Sequence, residues 1–187
     1  VENIIEITKE LYSSDNYNEA LELVNTLPAC AEKYYFAGLI HFRAEKYDRA
    51  AQNFKIVMDS YRNSKYWTKS IYYRYASGIN LGFNTVSERG LKEFIRDYPY
   101  DDMTDNAYLT LAEHYLGKNR KAEALDFLKK IRTSYPNNDS YFPALWLEAE
   151  YYRKNKDYAK AADVLSLLIK MLSDKMSDRD EMVKALY

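Results

Sequence analysis

Residues that break or staple a chain are scarce here. Among 187 residues there are five glycines, four prolines and one cysteine. So few Gly and Pro require short turns and long regular elements. A single cysteine, Cys30, excludes an internal disulfide and leaves the redox compartment open. Charge of one sign is also missing. Lys and Arg number 27 against 28 Asp and Glu, a net charge of -1, which leaves no electrostatic footprint for nucleic acid. No apolar run approaches the roughly 18 residues that a membrane-spanning helix requires.

The chemistry-bearing motifs are equally thin. Two histidines, His41 and His114, stand in helical segments without the companions that a metal or acid–base site assembles. Cys30 has no partner motif for a nucleophile, and no glycine-rich phosphate loop occurs. Asp102, Thr104, Asn106 and Glu113 echo the spacing of a calcium loop, but Ala107 stands where the sharp turn needs glycine. Asp101, Asp102 and the pair Glu148 and Glu150 read as helix starts and solvated faces. Leu27-Pro28-Ala29-Cys30 superficially resembles a lipoprotein cleavage box, yet Glu19, Glu22 and Asn25 interrupt the apolar stretch such a signal needs. Cys30 therefore reads as a small helix-start residue. No catalytic residue, metal or cofactor is expected, and the protein is read as a non-enzyme. The chain begins at Val1 and stops within a helical pattern, as a piece of a longer protein would.

What the sequence does contain is a repeat. Small residues stand at Ala20, Ala50, Ser87, Ala124 and Ala161, the last four 37 residues apart. Four residues after each comes a larger apolar one: Val24, Phe54, Leu91, Leu128 and Leu165. Tyr61, Tyr98 and Tyr135 close three units in register, followed twice by proline, at Pro99 and Pro136. The preceding helices repeat as well. Tyr108, Leu111, Ala112 and Tyr115 recur as Tyr34, Ala37, Gly38 and His41, with offsets that fall on one side of a 3.6-residue helix. Small residues let two antiparallel helices cross closely. One such pair buries too little apolar surface to stand alone, so each needs a neighbour. The first unit departs by placing Thr8 in the small slot, and the third by placing Tyr75 there.

Tyr108-x2-Leu111-Ala112-x2-Tyr115, then Ala124-x3-Leu128 and Pro136, resembles the tetratricopeptide repeat. The resemblance implies an all-α, right-handed solenoid of about five helix–turn–helix repeats with a C-terminal helix. The array is read as one domain over 1–187, with repeats near 1–29, 30–64, 65–101, 102–138 and 139–175 and a terminal helix at 177–187. Expected helix pairs are 2–13 with 17–27, 31–44 with 47–60, 66–82 with 86–97, 104–117 with 120–134, and 140–154 with 157–173. Asp101, Asp102, Thr104, Asn138 and Asp139 are the expected start signals.

The Tyr-Pro linkers are similar to those of tetratricopeptide proteins of the bacterial cell envelope, such as the outer-membrane β-barrel assembly lipoprotein subunit and the Tol–Pal coordinator. That resemblance implies the periplasm or envelope, with the cytoplasm as the alternative. The family also implies a concave protein-binding face made by the first helix of each repeat. Here it carries Tyr35, Leu39, Phe42, Tyr72, Leu109, Glu113, Trp146, Glu150 and Arg153. A protein or peptide partner is expected there, because aromatic anchors beside adaptable charges suit an interface. The alternative is a structural module whose array edges self-associate or dock within a larger protein. The Lys/Arg–Asn clamp of chaperone-tail adaptors does not assemble, since its slots hold Ile5, Lys9 and Phe36.

Overall fold

Ten helices succeed one another without a strand among the described residues of the computed structural model, which describes the backbone of 1–185 and the side chains of 1–173. They are α1 (Glu2–Ser13), α2 (Tyr17–Asn25), α3 (Ala31–Arg43), α4 (Tyr47–Ser60), α5 (Trp67–Asn80), α6 (Asn84–Asp97), α7 (Thr104–Gly117), α8 (Lys121–Ser134), α9 (Tyr141–Lys154) and α10 (Tyr158–Ala185). They form two compact units, Val1–Ala107 and Tyr108–Tyr187. In the first unit α1 packs on α2, α3 on α4 and α5 on α6, and α2 and α4 each also meet the helix that follows. In the second, α8 packs on α9 and α9 on α10. α10 runs unbroken for 28 residues and takes in most of the segment read as a separate terminal helix from 177. No Gly or Pro interrupts it.

The small residues lie where close crossings need them. Ala20, Ala50 and Ala124 have no exposed surface, and Ser87 and Ala161 are buried too. Opposite them, Gly38 leaves only 2.7 Å between an added Cβ and the Phe54 ring. Thr8 fits its small slot because its hydroxyl donates to the Ile4 carbonyl at 2.7 Å, which satisfies a fully buried polar group. The third repeat departs by exchanging partners. Tyr75 takes the small slot on α5, and Gly90 on α6 makes room for it, a Cβ there falling 2.4 Å from the tyrosine ring. Gly78 does the same for Ser87, at 2.2 Å.

The turn inside each helix pair is one motif used five times. Asp15, Glu45, Gly82, Asn119 and Lys156 all adopt positive φ, between 57° and 81°. After each, a backbone N–H reaches back five residues to a helical carbonyl: Asn16 to Leu11, Lys46 to His41, Phe83 to Gly78, Arg120 to Tyr115 and Asp157 to Tyr152, at 2.8–3.0 Å. The positive-φ residue itself donates to the carbonyl three back. These paired bonds satisfy the last carbonyls of the first helix and reverse the chain in three residues. From Glu45 onward the positive-φ residues stand 37 apart, each five residues before the buried small residue.

Between pairs, Tyr61, Tyr98 and Tyr135 share φ near -130° and ψ near 50°. The Tyr61 ring packs on Tyr34 and the Tyr135 ring on Tyr108, with centroids 6.0 and 6.1 Å apart. Each tyrosine thus closes a hairpin by covering the first helix of its own pair. The polar start signals act differently from expectation. Thr104 is the first residue of α7 and donates to the Tyr98 carbonyl at 2.6 Å, while Asp101 accepts from the Met103 N–H at 2.9 Å. Helix α9 starts at Tyr141 without a side-chain cap.

Candidate functional site

The first-helix positions expected to line a binding face separate by burial. Tyr35 and Tyr72 are 7% and 8% exposed, so both belong to the core rather than to a free surface. The physical reason is an aromatic cluster built across repeats. Tyr35 stacks on Tyr66 at 4.5 Å and meets Phe36 and Phe54 edge-on, and Tyr73 stacks on Phe54 at 5.2 Å. Burial in these rings drives the Tyr35 phenol far above its ordinary range and pushes Tyr73 up to about 12. Tyr72 packs on Tyr73 and Phe94. Leu39 and Phe42 are half-buried against the same cluster. Tyr35, Tyr66 and Tyr73 thus pack one repeat against the next.

In the second unit Leu109 is half-buried beside Leu128 and Leu147, and Glu113 is exposed. Trp146, Glu150 and Arg153 come together. They stand on α9 at successive turns and share a groove of about 360 Å³ with Ala149, Tyr158, Ala161, Ala162 and Leu165. Trp146 is 54% exposed, and Tyr158 across the groove is 65% exposed. Arg153 donates from Nε at 2.8 Å and Nη2 at 3.0 Å to the Glu150 carboxylate. That paired bond holds the Glu150 carboxyl below its usual range, with Lys154 adding to it. Glu150 also lines a second groove of about 490 Å³, shared with Leu116, Gly117, Lys121, Leu147, Tyr151, Lys154 and Asn155. Across that groove Lys121 donates to Asn155 Oδ1 at 3.2 Å.

Glu150 and its cation thus form a polar crest on α9, with an apolar-floored groove on either side. Such a surface can hold a partner's apolar side chains while the crest fixes its register. The residues missed from sequence come from α10: Tyr158, Ala162 and Leu165. Their signal was present in Leu165, which continues the series Phe54, Leu91 and Leu128, all fully buried, yet is itself 38% exposed.

Among the described residues no group of three or more His, Cys, Asp and Glu stands close enough to hold a metal ion. The segment with the calcium-loop echo is the start of α7: Thr104, Asn106 and Glu113 are helical, and Asp102 pairs with Lys69 at 3.4 Å. His41 is buried, and Cys30 is a half-buried free thiol at the start of α3. Among the described residues no helix is long and apolar enough to cross a membrane.

Comparison with known proteins agrees with this architecture. The tetratricopeptide repeat family model TPR_6 matches residues 106–138, the α7–α8 hairpin and its linker. No curated protein matches the sequence. Among solved structures, MamA residues 41 to the end from Desulfovibrio magneticus RS-1 is 15% identical with a TM-score of 0.62, covering 92% of this chain and 95% of that one. A double mutant of MamA RS-1 is also 15% identical, with a TM-score of 0.63 and coverage of 94% and 96%. A Podosopora anserina protein of the kinesin light chain type, with nearly identical TPR-like repeats, is 11% identical with a TM-score of 0.69 and coverage of 94% and 96%. These likenesses establish a fold of the tetratricopeptide type, and the family model marks one such repeat at residues 106–138.

Proposed function

We propose that the chain binds a protein or peptide partner through the α9 surface of its second unit, as part of a bacterial cell-envelope complex. One observation carries the binding site: Trp146 is more than half exposed in a groove whose other walls are mostly apolar, beside the Glu150–Arg153 pair. An exposed tryptophan rimmed by charge is the composition of an interface hot spot. The binding reading of Glu113 and Leu109 attaches to the same unit, whereas Tyr35 and Tyr72 act as packing residues. The envelope context is supported by the Tyr98-Pro99 and Tyr135-Pro136 linkers alone.

The test is affinity capture with the purified chain and with Trp146→Ala in parallel. A specific protein retained by the first and reduced by about tenfold or more on the second, at equal melting temperature, is the expected result. A variant that melts early would return Trp146 to a packing role. Loss of all specific capture, with a homogeneous oligomer by light scattering, would favour the self-associating structural module instead.

A further inference from the structure

The exposed groove has buried counterparts elsewhere in the chain. Tyr35, Tyr72, Leu109 and Trp146 occupy one slot, 37 residues apart, in four successive first helices. Only Trp146 is largely exposed. At Tyr35 the slot is covered by the lead-in and body of α5. Tyr66 stacks on Tyr35, while Tyr73 stacks on Phe54 and meets Phe42 edge-on at 5.3 Å. In the second unit α9 plays that part. Leu147, two periods after Tyr73, packs in one cluster with Leu109 and Leu128. The final hairpin repeats the receiving positions: Trp146 for Tyr35, Leu165 for Phe54 and Arg153 for Phe42. These three line the α9–α10 groove, and no described residue fills it.

We propose that this groove receives an amphipathic helix of a different protein, docked as α5 docks on α3 and α4. The proposal rests on the scaffold reading above and specifies its binding mode. The incoming helix presents two aromatic residues seven apart, as Tyr66 and Tyr73 are, which places both rings on one face. The first ring stacks on Trp146. The second lies on Leu165 and receives the Arg153 guanidinium against its π-face, an exchange that the replacement of Phe42 by Arg153 makes favourable. A second copy of this chain is a poorer occupant. In its helix α1 the residue in the Tyr73 place is Glu6, exposed and paired with Lys9 at 2.7 Å.

The probe is a synthetic peptide of residues 64–81 of this chain, stapled as a helix on the face opposite Tyr66 and Tyr73. It is titrated into the full chain by calorimetry. One peptide per chain should bind, and Trp146→Ala in the chain should weaken it by about tenfold or more. A peptide carrying Tyr66→Ala and Tyr73→Ala should lose binding. No heat of binding, or binding indifferent to Trp146→Ala, overturns the proposal. So does a dimer of the chain alone that Trp146→Ala disperses in sedimentation velocity, since the occupant would then be a second copy. Partner capture that survives Trp146→Ala removes this mode and leaves a scaffold acting through another surface.

Discussion

Arg132 places one nitrogen, Nη1, 3.2 Å from both carboxylate oxygens of Glu148, joining α8 to α9 behind the groove. The carboxylate is 5% exposed and the arginine 29%. Burial raises the Glu148 carboxyl above its usual range, and Arg132 opposes that shift without cancelling it.

Removing the cation should cost more than removing the anion. Arg132→Ala leaves an uncompensated buried carboxylate, and a loss of about 2 kcal/mol is expected, below the full buried-pair value because Arg132 is partly solvated. Glu148→Gln keeps shape and an acceptor and should cost less. A folded pKa raised above the unfolded one contributes stability at low pH that is lost as pH rises through it. The Arg132→Ala deficit should therefore shrink at pH near 4. Urea unfolding of both variants at neutral and acid pH measures this, and equal deficits at the two pH values would count against it.

His41 should give the opposite slope. Its imidazole is lowered below the usual value near 6.5 first by burial and then by Arg49 and Lys46, with Asp48 opposing. A depressed folded pKa means stability present above about 6.5 and lost as pH falls toward the folded value. His41→Tyr places in that slot the residue that Tyr115 already is, fully buried, in the fourth repeat. The melting temperature of the native chain should fall between pH 7 and 5 more steeply than that of the variant. Parallel slopes would refute the assignment.

Two glycine-to-alanine changes should differ in sign. A Cβ at Gly82 or at Gly117 meets nothing within 4 Å, so neither change creates a clash. Gly82 has φ of 81°, where an L side chain costs about 1 kcal/mol. Gly117 ends α7 without positive φ, so alanine should stabilise by up to about 1 kcal/mol. Chemical denaturation of the two single variants decides it, and destabilisation at both positions would contradict the backbone account.

The exchanged crossing of the third repeat should behave as a coupled pair. Gly90→Ala drives a methyl into the Tyr75 ring and should cost about 1–3 kcal/mol. Adding Tyr75→Ala should recover part of that loss, so that the double change costs less than the sum of the singles. Strict additivity in a thermodynamic cycle would show that the ring moves aside freely.

The repeat period was legible because Ala20, Ala50, Ser87, Ala124 and Ala161 answer to a local requirement, the close crossing of two adjacent helices. The turns were not, because Asp15, Glu45, Asn119 and Lys156 hold positive φ without being glycine. The structure of the motif lies in carbonyls satisfied five residues back, which composition does not display. The site was half legible for a similar reason. Helical periodicity correctly puts Tyr35, Tyr72 and Trp146 in one slot, but whether that slot is core or surface depends on the helix that arrives next. Tyr66 and Tyr73 arrive over Tyr35 and Phe54, and nothing described arrives over Trp146 and Leu165.

The recurring reverse turn also bears on how the chain reaches its fold. Each return is closed by hydrogen bonds spanning three and five residues, so a hairpin can double back before any other repeat is present. Contacts between neighbours in sequence carry little loop-closure entropy, and chains built from them fold fast. Several hairpins are then equivalent starting points, and zippering can spread from any of them along the array. The pathway is set by whichever hairpin is most stable under the conditions, so a destabilising change in one repeat should redirect the order of folding more readily than it slows it.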